Sequence, residues 1–330
     1  MRAISELFDQ TTLLLPLRKG KSPGGAKPLS GHNLNIVPLP EPIGTDLRRK
    51  IALLSWFPQH LPKIWREIAR ADAIHTPVPG DIGFIGIWLA LLQRKPLFVR
   101  HCGSWGVPVT LADKLLLWLL EHIAGGRNVV LATGGADDVP SRKNANVRWI
   151  FSTTLAGSEL EQLPVARLPH AGEPLRLITV CRLTEAKNTQ SILRALPEIL
   201  LRHPNTCLEI VGEVPSRPGL EALTGELSLQ NHVHLHGNVS HAEVLHLLSQ
   251  SHLFVFPTHL REGFPKAVLE AMAVGLPVIA SGVSVIPHLI RDCGVVLPDT
   301  SPAAIALAVT SLAARPEQME TMSIQARQRA

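Results

Sequence analysis

The stretch REGFPKAVLEAMAVGLPVIAS, from Arg261 to Ser281, decides the fold class of this chain. Its pattern predicts a loop, a helix, a turn at Val274-Gly275 and a buried strand from Pro277 to Ala280. Pro265 suits the first turn of the helix, where its missing N–H removes no hydrogen bond. A helix that turns directly into an apolar strand is typical of parallel sheets covered by helices.

Two carboxylates frame this helix. Glu262 lies just ahead of it, where free backbone N–H groups and the helix dipole favour anionic oxygens. Glu270 follows eight positions later, between the apolar Leu269 and Ala271. Because a helix rises about 1.5 Å per residue, both acids could contact one extended ligand. The simpler interpretation, a surface helix with two solvated acids, stays open at this point.

Bulk properties narrow the function class. A length of 330 residues suits two domains, since a typical domain has about 150 residues. The net charge of +5 favours anionic partners such as nucleotide phosphates or an anionic lipid surface. No basic run with interleaved aromatic residues indicates nucleic acid as a partner. The four cysteines form no CxxC pair, which favours reduced thiols in a cytosolic protein.

The N-terminal sequence has no signal-peptide pattern, which predicts a cytoplasmic protein. The longest apolar stretch, Ile82 to Leu92, is shorter than the roughly 20 residues that a membrane span needs. Any membrane contact would therefore be peripheral, at the inner face of the membrane.

The first half of the chain alternates short apolar runs with longer amphipathic ones, which predicts strands joined by crossover helices. Polar loops follow two of these strands, at His75 to Gly80 and at Arg100 to Trp105. Ligands bind at such positions in open α/β sheets. In the second loop, His101 offers an imidazole and Gly103 lets the backbone approach a ligand. A structural turn with a partly buried His101 is the alternative. The predicted strands are 12–15, 35–37, 73–76, 96–101, 129–133 and 147–151, and the predicted helices are 59–70, 82–93 and 110–124.

The aperiodic segment Pro164 to Glu173 predicts a domain boundary, which divides the chain into domains 1–168 and 169–330. The second domain has the alternation of a doubly wound nucleotide-binding sheet. Ser240-His241-Ala242-Glu243 forms a capping box that opens one of its helices. Its predicted strands are 175–181, 208–211, 233–236, 253–256, 277–280 and 295–297, and its predicted helices include 188–200 and 303–313.

The first strand of this domain ends in CRLTEAKN, residues 181–188. Arg182 and Lys187 bracket this strand-to-helix turn, where a guanidinium and an ammonium could both reach a diphosphate. Two solvated turn cations are the alternative for this segment taken alone. The solvated-cation interpretation is disfavoured because Glu262 and Glu270 also follow a strand of the same domain.

VCRLTEAKN and EGFPKAVLEAMAVGLPVIAS, with LEIVGE and HLHGNVSHAEV between them, resemble the retaining glycosyltransferases of family 4. The resemblance is specific over about residues 175–315 and weaker over 1–165, where the HTP and RHCGSW loops match. It implies an α/β GT-B fold, with two Rossmann-like doubly wound parallel-sheet domains facing across a cleft. Residues 1–168 would be the acceptor-side domain and residues 169–330 the nucleotide-sugar donor domain.

The resemblance also implies roles for individual residues. Arg182 and Lys187 would neutralise the donor diphosphate, and Glu270 would hold the ribose hydroxyls. Glu262 and His101 would be the catalytic residues: Glu262 would contact the transferred sugar, and His101 would approach it from the opposite domain. The remaining donor contacts would come from the backbone of Gly263 and Phe264 beside Pro265, and from Gly237, Asn238 and Val239 near the base.

The function implied is the transfer of a sugar, with retention, from a UDP- or GDP-linked donor to a glycan or lipid-linked acceptor in polysaccharide biosynthesis. Two alternatives stay open: a non-catalytic or truncated nucleotide-sugar-binding remnant, and a sugar-nucleotide epimerase of the same fold. Relative to the family pattern, the chain begins after the usual first strand with its Gly-rich loop. It also ends before the usual crossing helices, so we expect both ends to be shortened.

In the arrangement that the resemblance implies, fixed cations would stabilise the leaving group, so no cofactor or metal is expected. The sequence has no Asp-x-Asp triplet, and Asp137-Asp138 is interpreted as a solvated loop pair. His232, His234 and His236 alternate along one strand, as metal ligands sometimes do. With no carboxylate or cysteine in register with them, we do not expect a metal there.

Overall fold

A computed structural model describes residues 2–17, 29–44, 46–106, 108, 110–135, 139–151, 153, 155, 160–169, 172–213 and 217–330. The chain folds into two compact units. The smaller unit is Met1–Arg100 with Ile123–Val130, and the larger is His101–His122 with Leu131–Ala330. The domain division at residues 168 and 169 stays a prediction. Across the described ranges, no helix combines the length and apolar character needed to cross a membrane.

The smaller unit contains a two-stranded parallel sheet, in which Thr11 lies opposite Leu34. Its longest helix has 25 residues and starts well before the predicted residue 59. Pro58 and Pro62 both lie inside this helix. Pro58 directly precedes the predicted start and concealed the first half, since proline usually ends a helical pattern. The elements are α1 Arg2–Ser5, β1 Thr11–Leu17, β2 Leu34–Pro40, α2 Asp46–Arg70, β3 Ile74–Val78 and α3 Asp81–Leu92.

A four-stranded sheet has the order β3-β4-β5-β6, with β4 Leu97–His101, β5 Val129–Thr133 and β6 Val147–Ile150. The helix α4, Leu111–Ile123, lies between β4 and β5 in the chain. All six strands predicted for the first half are confirmed to within three residues at each end, and boundaries are the least reliable part of a prediction from sequence.

The larger unit contains a six-stranded sheet in which every pair of neighbouring strands is parallel. Its strands are β7 Arg176–Val180, β8 Cys207–Val211, β9 Val233–Gly237, β10 Leu253–Phe256, β11 Val278–Ser281 and β12 Gly294–Leu297. Alternate residues of each strand point to opposite faces, so Leu177 and Ile178 enter different hydrophobic cores. This burial on both faces explains the continuous apolar runs of the sequence.

Helices cover both faces of this sheet. They are α5 Thr189–Arg202, α6 Arg217–Glu226, α7 His241–Ser249, α8 Lys266–Ala273, α9 Ile286–Leu289, α10 Pro302–Ala313 and α11 Pro316–Arg329. Core residues of α5 and α10 pack on one face, and those of α7 and α8 pack on the other. The predicted capping box is confirmed, because the Ser240 side chain accepts a hydrogen bond from the Glu243 N–H at 3.2 Å. Pro265 precedes α8 as its N-cap, one position earlier than predicted.

The order of the strands in space is β9-β8-β7-β10-β11-β12. The chain runs outward from β7 to β9, returns to β10 beside β7, and continues outward in the other direction. In open α/β sheets, ligands bind at the carboxyl ends of the strands where the order reverses. The loops that follow β7 and β10 are therefore the place for a ligand site.

Candidate active site

The turn after β7 is held rigidly by its own sequence. Leu183 is buried, and a short 3-10 turn covers Glu185–Lys187. Asn188 ends this turn in the left-handed region, with φ at 54°, and its side chain accepts a hydrogen bond from Ser191 Oγ at 2.8 Å. Asparagine tolerates that backbone region better than most residues. The turn thus fixes the direction of the Lys187 side chain just before α5 begins.

Lys187 is buried, with only 6% of its side chain exposed. Its Nζ lies 2.6 Å from Glu262 Oε1 and 4.9 Å from the centre of the Phe256 ring. A buried ammonium needs an anionic partner, and an aromatic face adds a smaller attraction. Two residues that the sequence analysis assigned to one donor site are therefore in direct contact.

The loop after β10 is tied to the turn after β7 through one carbonyl. Ala186 O accepts hydrogen bonds from the His259 N–H at 2.8 Å and from Thr258 Oγ1 at 3.2 Å. Ser281 Oγ in turn donates to Thr258 O at 2.6 Å. These bonds set the spacing of the two loops and hold Glu262 opposite Lys187.

Arg182 lies on the same turn as Lys187, but it is exposed. Within the described ranges its guanidinium makes no hydrogen bond or ion pair. The turn therefore presents one buried cation that is already paired and one solvated cation that is available to an anion.

Gly263 and Phe264 lead from Glu262 towards α8. Phe264 is buried and meets Phe151 edge-on, with ring centres 5.5 Å apart. A Cβ at Gly263 would lie 2.9 Å from Gly103 O, so a side chain there would collide with backbone. Among the described residues we find no acceptor for the backbone N–H groups of Gly263 and Phe264. These groups precede α8, where the helix dipole also favours an anion.

His101 is the last residue of β4, belongs to the larger unit together with Glu262, and is 7% exposed. Its ring meets Trp105 edge-on at 5.2 Å, and its buried Nδ1 has no hydrogen-bond partner among the described residues. Burial lowers the pKa of His101 and outweighs the opposing effects of the Gly103 backbone and the Asp113 charge. The structure thus brings the His101 loop to Glu262 through Gly103, which lies against Gly263.

Glu270 lies in the middle of α8 and is 7% exposed. His241 Nε2, at the start of α7, lies 3.1 Å from Glu270 Oε1. Sequence reasoning placed His241 in a capping box and missed this contact. The helix spacing could have shown which face it occupies, but the pairing of α7 with α8 is a tertiary feature.

Gly237, Asn238 and Val239 connect β9 to α7. Gly237 has a φ of 71°, and a Cβ there would lie 2.8 Å from Glu213 Oε2 and 3.0 Å from Arg217 Nη1. The Gly237 carbonyl accepts a hydrogen bond from the Gly212 N–H at 2.9 Å. Asn238 is exposed, and Val239 packs against the core under α8. Whether this loop contacts a base stays a prediction.

The three alternating histidines are arranged differently from the prediction. Glu209 lies opposite His234 in the strand register, so a carboxylate is in register after all. Its two oxygens lie 3.1 Å from His234 Nδ1 and 2.6 Å from His236 Nε2. The described residues contain no group of three His, Cys, Asp or Glu side chains that could hold a metal ion. Asp137 and Asp138 lie outside the described residues.

Solved structures with the same architecture identify the fold. Sucrose-phosphate synthase from Thermosynechococcus elongatus matches with a TM-score of 0.67 and 20% identity, over 96% of this chain and 83% of that one. HepE from Anabaena, in complex with UDP-glucose, matches with a TM-score of 0.64 and 15% identity, over 90% and 86% of the two chains. The chain therefore has the GT-B fold, as predicted.

The family model described as glycosyl transferases group 1 matches residues 165–329, which is half of the chain. The chain belongs to this family. This confirms the predicted glycosyltransferase, while family 4 in particular stays a prediction. The alpha-D-kanosaminyltransferase of Streptomyces kanamyceticus is 25% identical over 309 residues, which is 86% of this chain and 80% of that protein.

Another curated relative is the GDP-mannose-dependent alpha-(1-6)-phosphatidylinositol monomannoside mannosyltransferase of Mycolicibacterium smegmatis. It is 32% identical over 162 residues, which is 46% of this chain and 42% of that protein. Apart from the kanosaminyltransferase, the curated relatives compared are matched over 25% to 42% of their own lengths.

Proposed function

We propose that this protein transfers a sugar, with retention, from a UDP- or GDP-linked donor to a glycan or lipid-linked acceptor, without a metal ion. The observation that carries the proposal is the 2.6 Å contact between the buried Lys187 and Glu262 where the strand order reverses. A glycosyltransferase needs a cation for the leaving diphosphate beside a polar group for the sugar. This pair supplies both.

In the proposed complex, the donor diphosphate forms an ion pair with the Lys187 ammonium and replaces part of its contact with Glu262. Arg182 is exposed on the same turn and closes on the diphosphate from the solvent side. The backbone N–H groups of Gly263 and Phe264 add donors at the start of α8. Fixed donors of this kind stabilise negative charge as it develops on a leaving group.

The reaction breaks the bond between the sugar C1 and the diphosphate oxygen, and the electron pair stays on that oxygen. The acceptor hydroxyl attacks C1 from the same face, and its proton passes to the departing phosphate oxygen. Glu262 and the uncharged His101 hold the sugar during this step. Burial lowers the pKa of His101, which favours the uncharged imidazole near neutral pH.

The names of the curated relatives support a nucleotide sugar as donor. One is GDP-mannose-dependent, and two are subunits of a phosphatidylinositol N-acetylglucosaminyltransferase. From these names we propose for this protein only the class of donor, a nucleotide sugar, and a lipid-linked or glycan acceptor. Neither the base nor the sugar follows from these names.

Thermal stabilisation by a panel of UDP-, GDP- and ADP-sugars tests the donor. A ligand present at about 100 times its Kd stabilises the folded state by about 2.7 kcal/mol, so the true donor raises the midpoint by several degrees. Glu270→Ala should reduce this shift, because the carboxylate for the ribose is lost. The donor site is contradicted if no nucleotide sugar shifts the midpoint.

Product analysis then separates the alternatives. Release of free sugar or transfer to an acceptor supports the enzyme, whereas binding without turnover supports a non-catalytic remnant. A changed sugar that is still linked to the nucleotide would identify an epimerase.

A further inference from the structure

His241 and Glu270 join two helices that pack on the same face of the sheet. His241 is the first residue of α7, and Glu270 is the fifth residue of α8. The 3.1 Å contact runs from His241 Nε2 to Glu270 Oε1. Because an ionised carboxylate can only accept, we assign the donor N–H of this contact to Nε2.

The two residues differ in what they need from this contact. The Glu270 side chain is only 9% exposed, so its charge has lost most of its water and requires hydrogen-bond donors. The His241 side chain is 28% exposed and could be solvated without its partner. The contact therefore serves the carboxylate more than the imidazole.

The contact also restricts the conformation of Glu270. A glutamate side chain has three rotatable bonds, and its terminal torsion is broad. A donor fixed at the start of a capped helix selects one orientation of the carboxyl plane. A carboxylate accepts about four hydrogen bonds, and His241 supplies one of them.

We infer that His241 is a positioning residue that holds the Glu270 carboxylate in the orientation that accepts the ribose hydroxyls of the donor. The inference rests on the proposed function. It assigns to His241 an effect on nucleotide affinity that depends on the hydroxyls. A residue that only tied α7 to α8 would affect ribonucleotides and deoxyribonucleotides equally.

Calorimetric Kd values for UDP and GDP, and for their 2′-deoxy forms, test this on the full chain. His241→Leu should raise the Kd of whichever nucleotide binds, UDP or GDP, by about tenfold. This is the effect expected for the loss of a hydrogen bond to a charged group. The same variant should raise the Kd of the 2′-deoxy form by less than about threefold, because one hydroxyl contact is already absent. His241→Gln keeps an N–H donor near the Nε2 position and should restore most of the affinity.

His246→Leu is the matched control, because it makes the same substitution at an exposed position on the same helix. It should leave both Kd values unchanged, and unfolding midpoints of all variants should establish that they are folded. Equal losses for the ribose and 2′-deoxy forms, or no loss in His241→Leu, would overturn the inference. Glu270→Ala distinguishes a failure of this inference from a failure of the proposed function. If it leaves UDP and GDP binding unchanged, the proposed ribose contact itself is contradicted.

Discussion

At the scale of single residues, the Lys187–Glu262 pair has a consequence for ligand binding. Without a donor, Glu262 Oε1 lies 2.6 Å from Lys187 Nζ and pairs with the ammonium that the diphosphate would bind. Glu262→Gln removes this competing charge and the repulsion between two anions. We expect the variant to bind UDP or GDP about fivefold more tightly while sugar transfer falls. Calorimetry and a transfer assay on the same preparation measure the two effects.

The same variant should be less stable without ligand. The Lys187 ammonium would keep its burial but lose its charged partner, a loss of about 1–3 kcal/mol in the free energy of unfolding. Glu185→Gln is the control, because it removes a carboxylate from the same turn at an exposed position. Weaker binding of UDP and GDP in Glu262→Gln would mean that Glu262 assists the nucleotide rather than competing with it.

At the scale of elements, the end of β8 depends on one glycine. Gly212 has a φ of 135°, and a Cβ there would lie 1.8 Å from the Cys181 carbonyl oxygen. Gly212→Ala must therefore displace the turn that carries Lys187. We expect it to destabilise the fold by more than about 2 kcal/mol and to weaken nucleotide binding.

Gly219→Ala provides the opposite result within the same unit. Gly219 is exposed in α6, and nothing lies within 4 Å of an added Cβ. Alanine there should stabilise the protein by up to about 1 kcal/mol, because glycine is a poor helix former. Denaturant unfolding of the two variants compares them directly, and a neutral Gly212→Ala would contradict the close packing at Cys181.

Elements with strong local signals could be predicted from the sequence. The strand Leu253–Phe256 was predicted with the same bounds, because it is a short apolar run followed by proline. The first half of α2 was missed because Pro58 was taken to precede the start of the helix. Helix α6 was not predicted, since its ten residues contain proline and glycine and only a few apolar positions.

Side chains whose position depends on tertiary contacts could not be predicted in the same way. The resemblance indicated Lys187, Glu262 and Glu270, and the structure shows the first two in contact. The contact of Glu270 with His241 joins helices from different parts of the chain. Glu209 was overlooked as the partner of the histidines because the register of parallel strands is set by packing, not by local sequence.

At the scale of the whole molecule, the chain carries a net charge of +5 and places Arg182 and Lys187 on a loop where the strand order reverses. In the proposed mechanism, Lys187, Arg182 and the start of α8 stabilise the leaving diphosphate, the role that a divalent ion has in many other transferases. We expect sugar transfer in excess chelator to proceed at about the rate seen with added Mg²⁺ or Mn²⁺. Lys187→Met, which removes the buried cation, should lose transfer under both conditions. Activity that disappears in chelator and returns in proportion to added metal would contradict the proposed leaving-group stabilisation, whereas a loss confined to Lys187→Met would assign it to the protein's own charges.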